Sequence, residues 1–399
     1  MRSPSLLRLF DSEWSDPYEL YRALREAGPV QWDSWMRTWI VLGHAEITTL
    51  SKDSRLSGAR IDSFYEQLPG ATKVGLAPLR DALADMMLFN EPPRHGELRR
   101  LIRPGLTPRF IREMRPVVEA TVNDLLDRAV PGGRMDVIHD FSEPLTRGVI
   151  RQLAGVDERH SHLLENWQGL LHEFFTQSQV EIPRINALRD SFAEGERARR
   201  DGTATDLFSR MISGQLEGAD YSENEIFANF LLLIDAGQAT TTHLIGNAVL
   251  ALINSPDQLR ILREDPALGV GAAHEFLRFD SPVQFTSRVA LADIEVGGQR
   301  IKAGESVALV LGAGNRDPLH YPDPDRLDVR RRAHDHLSFG YGIHYCLGAA
   351  LAVMETEIAI ATLLRRTEDL QVATPEQDWL DSANFRFLRS LPIRFTPAH

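Results

Sequence analysis

The sequence predicts a mainly α protein with small β-sheets, folded as a single domain over residues 1–399, and three observations carry that prediction. Helical apolar spacing covers most of the chain between Ile111 and Asn254. Runs rich in β-branched and aromatic residues are short and few. No internal repeat, low-complexity tract or domain-separating linker interrupts the 399 residues, although length alone would favour two or three domains.

Taken in order, a short helix is expected from Tyr18 to Ala27, entered through Ser15-Asp16-Pro17 and stopped by Gly28-Pro29. Strands follow at Val30 to Trp32 and Thr38 to Leu42, then helices from His44 to Ser51 and Arg94 to Arg103. Between those helices, Leu56 to Leu88 contains Gly58, Pro69, Gly70, Gly75 and Pro78 and reads as a long irregular loop. Ser222, with Glu225 three residues on, forms a capping box that opens a helix reaching about Ile253. At its usual rise that helix would be roughly 45 to 50 Å long. Polar residues from Asp235 to His243 interrupt its apolar middle, which marks a site. A helix ending near Phe279 and strands at Ile294 to Val296 and Val307 to Leu311 come next. A long loop from Asn315 to Tyr345 leads into a last helix starting near Cys346, and strand-like pieces lie around Phe385 to Leu388 and Ile393 to Phe395.

Composition narrows the function classes. Apolar residues make up 43% and charged residues 25%, enough for a packed interior. The net charge of -12 argues against nucleic acid as a partner, because phosphate binding needs a basic surface. No window approaches the roughly 18 to 20 apolar residues that span a bilayer. The most apolar stretch, Ile226 to Ala236, is broken by Asn229 and Asp235, and the N-terminal segment lacks a small-residue cleavage site. One cysteine excludes an intramolecular disulfide and fits a reducing compartment, so a cytoplasmic location is expected.

That cysteine lies in Phe339-Gly-Tyr-Gly-Ile-His-Tyr-Cys346-Leu-Gly348. If its sulfur ligates haem iron, each residue type has a task. A helix beginning just after Cys346 would stabilise the thiolate through its dipole and free N–H groups. Gly340 and Gly342 would let the backbone turn tightly beneath a flat ring, and Gly348 would let the helix approach it. Phe339 can shield the sulfur, and His344 can donate to a propionate. His334, His336, His344 and Cys346 could alternatively be drawn as a zinc cluster, which leaves the glycines unexplained.

The segment resembles the haem-binding signature of the cytochrome P450 family, with every fixed position filled. The resemblance implies that family's fold, with haem b between a long central helix and a cysteine-ligand loop, and Cys346 as axial ligand. It extends along the chain. Glu275-Phe-Leu-Arg278 is similar to the family's Glu-x-x-Arg pair, implying a buried structural role for Glu275 and Arg278 with Arg326 as third member. Pro93-Arg-His95-Gly-Glu-Leu-Arg99 resembles the propionate-binding helix, in which His95 and Arg99 share one side at i, i+4. Arg288, after Ser281-Pro-Val283, resembles the other propionate ligand.

Ala236-Gly237-Gln-Ala-Thr240-Thr241 resembles the family's oxygen-side motif. The resemblance implies that Gly237 lets the helix open locally and that the Thr240 hydroxyl orders water for proton delivery. The chain departs from the family at Ala239, where an acid is usual; Asp235, one turn earlier, is a candidate substitute. Phe64, Phe89, Trp167, Phe174, Phe285 and Phe387 fall in regions that line the family's substrate pocket.

Without a flavin or iron–sulfur motif, electrons must arrive from separate proteins, and the resemblance implies a ferredoxin and its reductase. Arg103, Arg109, Arg112 and Arg330 to Arg332 are candidates for the docking patch. The function implied is a bacterial monooxygenase that hydroxylates or epoxidises an apolar or aromatic small molecule of specialised metabolism. The rivals are an oxidative coupling enzyme acting on phenols or indoles, including those of a peptide, and a non-catalytic haem sensor or carrier.

Overall fold

The computed structural model describes residues 5–10, 16–66, 70–155, 182–199, 207–216 and 221–398. The chain divides into two compact units, Met1–Ser57 with Val118–Leu145 and Thr240–His399, and Gly58–Val117 with Thr146–Ala239.

The first unit is organised by a five-stranded sheet. Its strands lie in the order Val30–Asp33, Thr38–Val41, Ser306–Leu309, Thr286–Ala290, Leu56–Ser57. Thr38–Val41 and Ser306–Leu309 run parallel, and the other neighbours are antiparallel. Successive side chains of a strand point to opposite faces, and the two cores of this unit follow that alternation. Val41 and Leu309 pack on one face with Ile47, Leu50 and Leu337. Ile40, Leu42 and Ala308 pack on the other with Tyr18, Tyr21 and Leu24. The helix Pro17–Arg25 that supplies those tyrosines is capped by Asp16, whose carboxylate accepts from the Tyr18 N–H at 2.9 Å. A three-stranded sheet, Arg134–Asp136, Pro392–Pro397 and Thr367–Val372, completes this unit with the packed helices Gly269–Phe279 and Ala349–Arg366.

The second unit is helical. The expected irregular stretch from Leu56 to Leu88 instead folds largely as two helices, Ile61–Glu66 and Gly70–Ala84. Leu76, Leu79 and Leu83, at i, i+3 and i+7, are buried along one stripe. Burial of that stripe outweighs the cost of Gly75 and Pro78 inside the helix. A cluster of Phe192, Phe208, Phe227 and Phe230 joins three further helices, with ring centroids as close as 4.4 Å.

The long helix runs from Glu223 to Ile253. Its capping box is formed as expected: Glu225 N–H donates to Ser222 Oγ at 3.1 Å, and Ser222 N–H donates back to Glu225 Oε2 at 2.8 Å. Among the described residues no helix is long and apolar enough to cross a membrane.

Candidate active site

Cys346 stands in a loop that presents its sulfur. From Gly340 to Gly348 no residue is buried, and Cys346 itself is exposed, whereas Phe339 and Ala349 on either side are buried. Exposure is unusual for a lone cysteine, which by default packs as a small hydrophobe. The loop closes through Cys346 N–H donating to the Phe339 carbonyl at 2.9 Å. Gly340 and Gly342 both adopt left-handed backbone, at φ 67° and 70°. At Gly342 a Cβ would also lie 2.6 Å from the Ser51 carbonyl oxygen, so both conformation and space demand glycine. The helix begins at Ala349 rather than directly after Cys346, because Leu347 and Gly348 form a turn first. Its start still follows the sulfur within three residues.

His336 settles the zinc alternative. Its Nδ1 accepts from the Ser338 N–H at 3.1 Å, and its Nε2 faces His274 Nδ1 at 3.2 Å. Both ring nitrogens are engaged away from Cys346. Among the described residues the group able to converge on a metal ion does not include Cys346.

Behind the loop, the Glu275 and Arg278 side chains are fully buried and joined at 2.7 and 2.8 Å. Arg278 also donates to the carbonyls of Asn315, Pro324 and Arg326. The expected third member needs correcting. Arg326 takes part through its carbonyl only, and the second guanidinium on Glu275 belongs to Arg331, at 3.3 Å. The turn that lets Asp328 N–H reach Glu275 brings Arg331 inward and leaves Arg326 exposed. Arg331 is thereby lost to the expected docking patch. Arg109 of that patch, in the second unit, is paired with Glu113 at 2.8 Å.

On the long helix, burial picks out one face. Nearly every residue from Ile226 to Leu252 is buried, but Ala236 is exposed and Gly237 and Thr240 are half-buried. Ala236 and Thr240 are one turn apart, so the open patch is a single stripe. Asp235 lies off it, on the buried side with Gln238 and Ala239. The expected local opening at Gly237 is not seen, since the helix is regular through this stretch. The missing Cβ instead admits Ile150, whose Cδ1 lies 2.5 Å from where that atom would be.

The remaining candidates fall in several places. Arg288 sits in the strand Thr286–Ala290 and donates to Thr286 Oγ1 at 2.7 Å and to the Ser287 carbonyl at 2.8 Å. In the second unit His95 is buried in the first turn of the helix Arg94–Ile102, one turn before the half-buried Arg99. Burial and then the Arg99 charge lower the His95 pKa. His344 is half-buried. Phe89 is buried beneath the Arg60 guanidinium, 4.9 Å from its ring centre. Phe387 is covered by His243, stacked at 4.0 Å, and Phe285 packs against the Tyr18–Leu42 core. Trp167 and Phe174, with the side chain of Phe64, lie outside the described residues.

Sequence reasoning missed a buried group at the first unit's C-terminal loop. Tyr18 Oη donates to Asp280 at 2.9 Å, Arg386 approaches the same carboxylate at 3.6 Å, and Arg386 lies 3.4 Å from the Trp379 ring centre. Asn247 of the long helix donates to the carbonyls of Asp280 and Arg386. Only the polar Asn247 within an apolar helix hinted at it.

The donor set fits a haem. It combines an outward-facing soft sulfur ligand, a glycine-bearing ribbon open along its length, and a cationic strand residue of the type that binds carboxylates. Together these define a haem-thiolate protein. Comparison with known proteins agrees, and the chain belongs to the cytochrome P450 family. The cytochrome P450 family model matches residues 270–387. The chain is 37% identical to the biotin biosynthesis cytochrome P450 of Bacillus subtilis, over 95% of this chain and 96% of that one. It is 34% identical to the 6-deoxyerythronolide B hydroxylase of Saccharopolyspora erythraea, over 96% of this chain and 97% of the other. Among solved structures, P450BioI in complex with an acyl carrier protein bearing hexadec-9Z-enoic acid aligns with a TM-score of 0.87 and 36% identity. That alignment covers 96% of this chain and 100% of the other. The protein is accordingly a haem b monooxygenase, an oxidoreductase of this family.

Proposed function

We propose that the protein hydroxylates or epoxidises an apolar or aromatic small molecule in bacterial natural-product biosynthesis, with electrons from a ferredoxin and its reductase. The observation that carries this reading is the open stripe of Ala236, Gly237 and Thr240 in an otherwise buried helix. Ala236 is small and exposed there, and the Thr240 hydroxyl provides a proton-relaying group. The hydroxylase among its relatives supports oxygen insertion as the reaction class.

In this reading Cys346 would hold the haem iron through its sulfur, and His95, Arg99, Arg288 and His344 would be the residues that hold the propionates. Phe339 screens the sulfur, and Gly340 and Gly348 keep the ribbon low. Bound haem supplies the iron chemistry that activates dioxygen. Thr240 orders water and passes protons toward the reacting oxygen, with Asp235 supplying them from the buried side of the helix. Glu275 and Arg278 fix the loop that carries Cys346. Phe64, Phe89, Trp167, Phe174, Phe285 and Phe387 are the aromatic candidates for substrate contact.

Ala239 favours a second reading. Without the usual acid the enzyme would couple phenol or indole groups oxidatively and transfer no oxygen. The test is product mass after turnover with NADPH, ferredoxin and reductase, on a panel spanning macrolides, fatty acids, aromatic compounds and peptides. A gain of one oxygen supports hydroxylation or epoxidation, and a loss of two hydrogens supports coupling. Electron consumption that no compound on the panel alters would contradict both.

A further inference from the structure

We infer that Asn247, Asp280 and Arg386 are positioning residues for substrate selection: they set the loop carrying Phe385 and Phe387 against the face of the long helix that bears Thr240. The inference deepens the oxygenase reading and rests on its placement of Thr240 beside the substrate. Every residue involved belongs to the first unit.

Thr240, His243 and Asn247 stand at i, i+3 and i+7, so one face of the helix carries all three. Nearly one turn beyond Thr240, the His243 ring stacks on Phe387 with centroids 4.0 Å apart, and Phe387 lies 4.8 Å from Phe385. A further turn on, Asn247 Nδ2 donates to the carbonyls of Arg386 at 3.0 Å and Asp280 at 3.3 Å. The amide therefore fixes where along the helix the loop sits, and with it the spacing between Thr240 and the aromatic pair. Asn247 is 1% exposed, and its Oδ1 accepts no hydrogen bond among the described residues. A buried acceptor left unsatisfied is costly, so packing alone favours an apolar residue there, and the two donated bonds are what the amide adds.

The loop is tied on its other sides as well. Arg386 N–H donates to the Pro282 carbonyl and Gln284 N–H to the Asn384 carbonyl, each at 2.8 Å, and Phe385 bridges to Val283. The Arg386 guanidinium lies 3.4 Å from the Trp379 ring centre, with its Nε 3.6 Å from Asp280 Oδ1. Tyr18 Oη donates to that same oxygen at 2.9 Å. Asp280 is thus the hub: its carbonyl meets the long helix, and its carboxylate meets the loop through Arg386 and the helix Pro17–Arg25 through Tyr18. Moving the loop would break all of these contacts together, so the aromatic pair keeps one position. Phe387 is buried behind His243 as a strut, while Phe385 is half-buried and is the ring with surface left for a ligand. A wall held this way selects by shape, because packing attraction fades within about 1 Å of a misfit.

The test uses haem-loaded protein and two azoles that bind haem iron, imidazole and the bulky triaryl azole clotrimazole, each titrated through the shift of the Soret band. Phe385→Ala should weaken clotrimazole at least ~5-fold and imidazole less than ~2-fold. Asn247→Ala and Arg386→Met should each reproduce that selective loss while leaving both phenylalanines in the chain. Adding Asn247→Ala to Phe385→Ala should cost little more, because both act through one ring. A merely structural role would instead weaken both azoles alike, in step with lower haem content and thermal midpoint. Clotrimazole affinity unmoved in Phe385→Ala, or unmoved in both Asn247→Ala and Arg386→Met, would overturn the inference, as would a parallel loss of both azoles or additive losses in the double variant. None of these results touches the oxygenase reading, which stands or falls on product mass.

Discussion

Arg278 grips Glu275 through two nearly parallel bonds of 2.7 and 2.8 Å, and neither side chain has any solvent exposure. A buried pair of this kind is costly to break from one side, because the remaining charge is left without compensation. Three carbonyls and the Asp328 N–H complete the arrangement, so it ties the helix Gly269–Phe279 to the chain approaching Cys346.

Replacing Glu275 with Gln should therefore destabilise the protein by about 3–5 kcal/mol. The observable is the yield of haem-loaded protein together with its thermal midpoint, both of which should fall sharply. Arg326→Ala keeps the carbonyl that Arg278 uses and should cost less than about 0.5 kcal/mol. If the Arg326 variant were as damaged as the Glu275 one, the assignment of Arg331 as the second guanidinium would fail.

On the long helix, Thr240→Ala should lower the fraction of electrons that reach product several-fold while leaving haem binding intact. Asp235→Asn should act in the same direction, since it removes a carboxylate one turn before the position held by Ala239. Product formed per NADPH consumed reports both effects. Wild-type coupling in Asp235→Asn would remove Asp235 from the relay.

Acid should destabilise the protein through two histidines. Burial, followed by the neighbouring His334, lowers the His274 pKa to about 4; burial, followed by His274, lowers that of His336 to about 3. Unfolded histidines titrate near 6.5, so between about 3 and 6.5 the unfolded chain binds more protons than the folded one. Stability from this source is complete above about pH 6.5 and is lost as pH falls toward 4 and then 3. Urea midpoints at pH 7 and pH 5 should differ, and His274→Asn with His336→Asn should shrink that difference. An unchanged difference in the double variant would assign the acid sensitivity elsewhere.

Glu355 works in the opposite sense. It is buried in the helix Ala349–Arg366, and burial raises its pKa well above the usual carboxylate range. The folded protein binds this proton more tightly than the unfolded chain, so this contribution declines as pH rises above about 4.5. Glu355→Gln supplies a neutral group of the same shape and should leave the thermal midpoint at pH 7 unchanged or higher. A fall of several degrees would mean that the carboxyl has a specific partner the amide cannot satisfy.

Local chemistry was legible in the sequence and long-range packing was not. The Ser222–Glu225 capping box, the Asp16 cap and the tight glycines at 340 and 342 were all readable, because each depends on residues a few positions apart. The stretch from Leu56 to Leu88 was misread because Gly75 and Pro78 look like breakers, while the stripe that overrides them is visible only as burial. The identity of the cation on Glu275 turned on a single bend, which puts Arg331 where Arg326 was expected. The stacking of His44 on His320 had no sequence signal at all.

The most direct measurement is the absorption spectrum of the reduced protein under carbon monoxide, for wild type and for Cys346→Ser. If the Cys346 thiolate holds the iron, it would donate electron density to it and shift the Soret band strongly to the red. Wild type should show that band and the variant should lack it. A red-shifted band that survives in Cys346→Ser, or a wild-type protein that purifies without haem, would contradict the account.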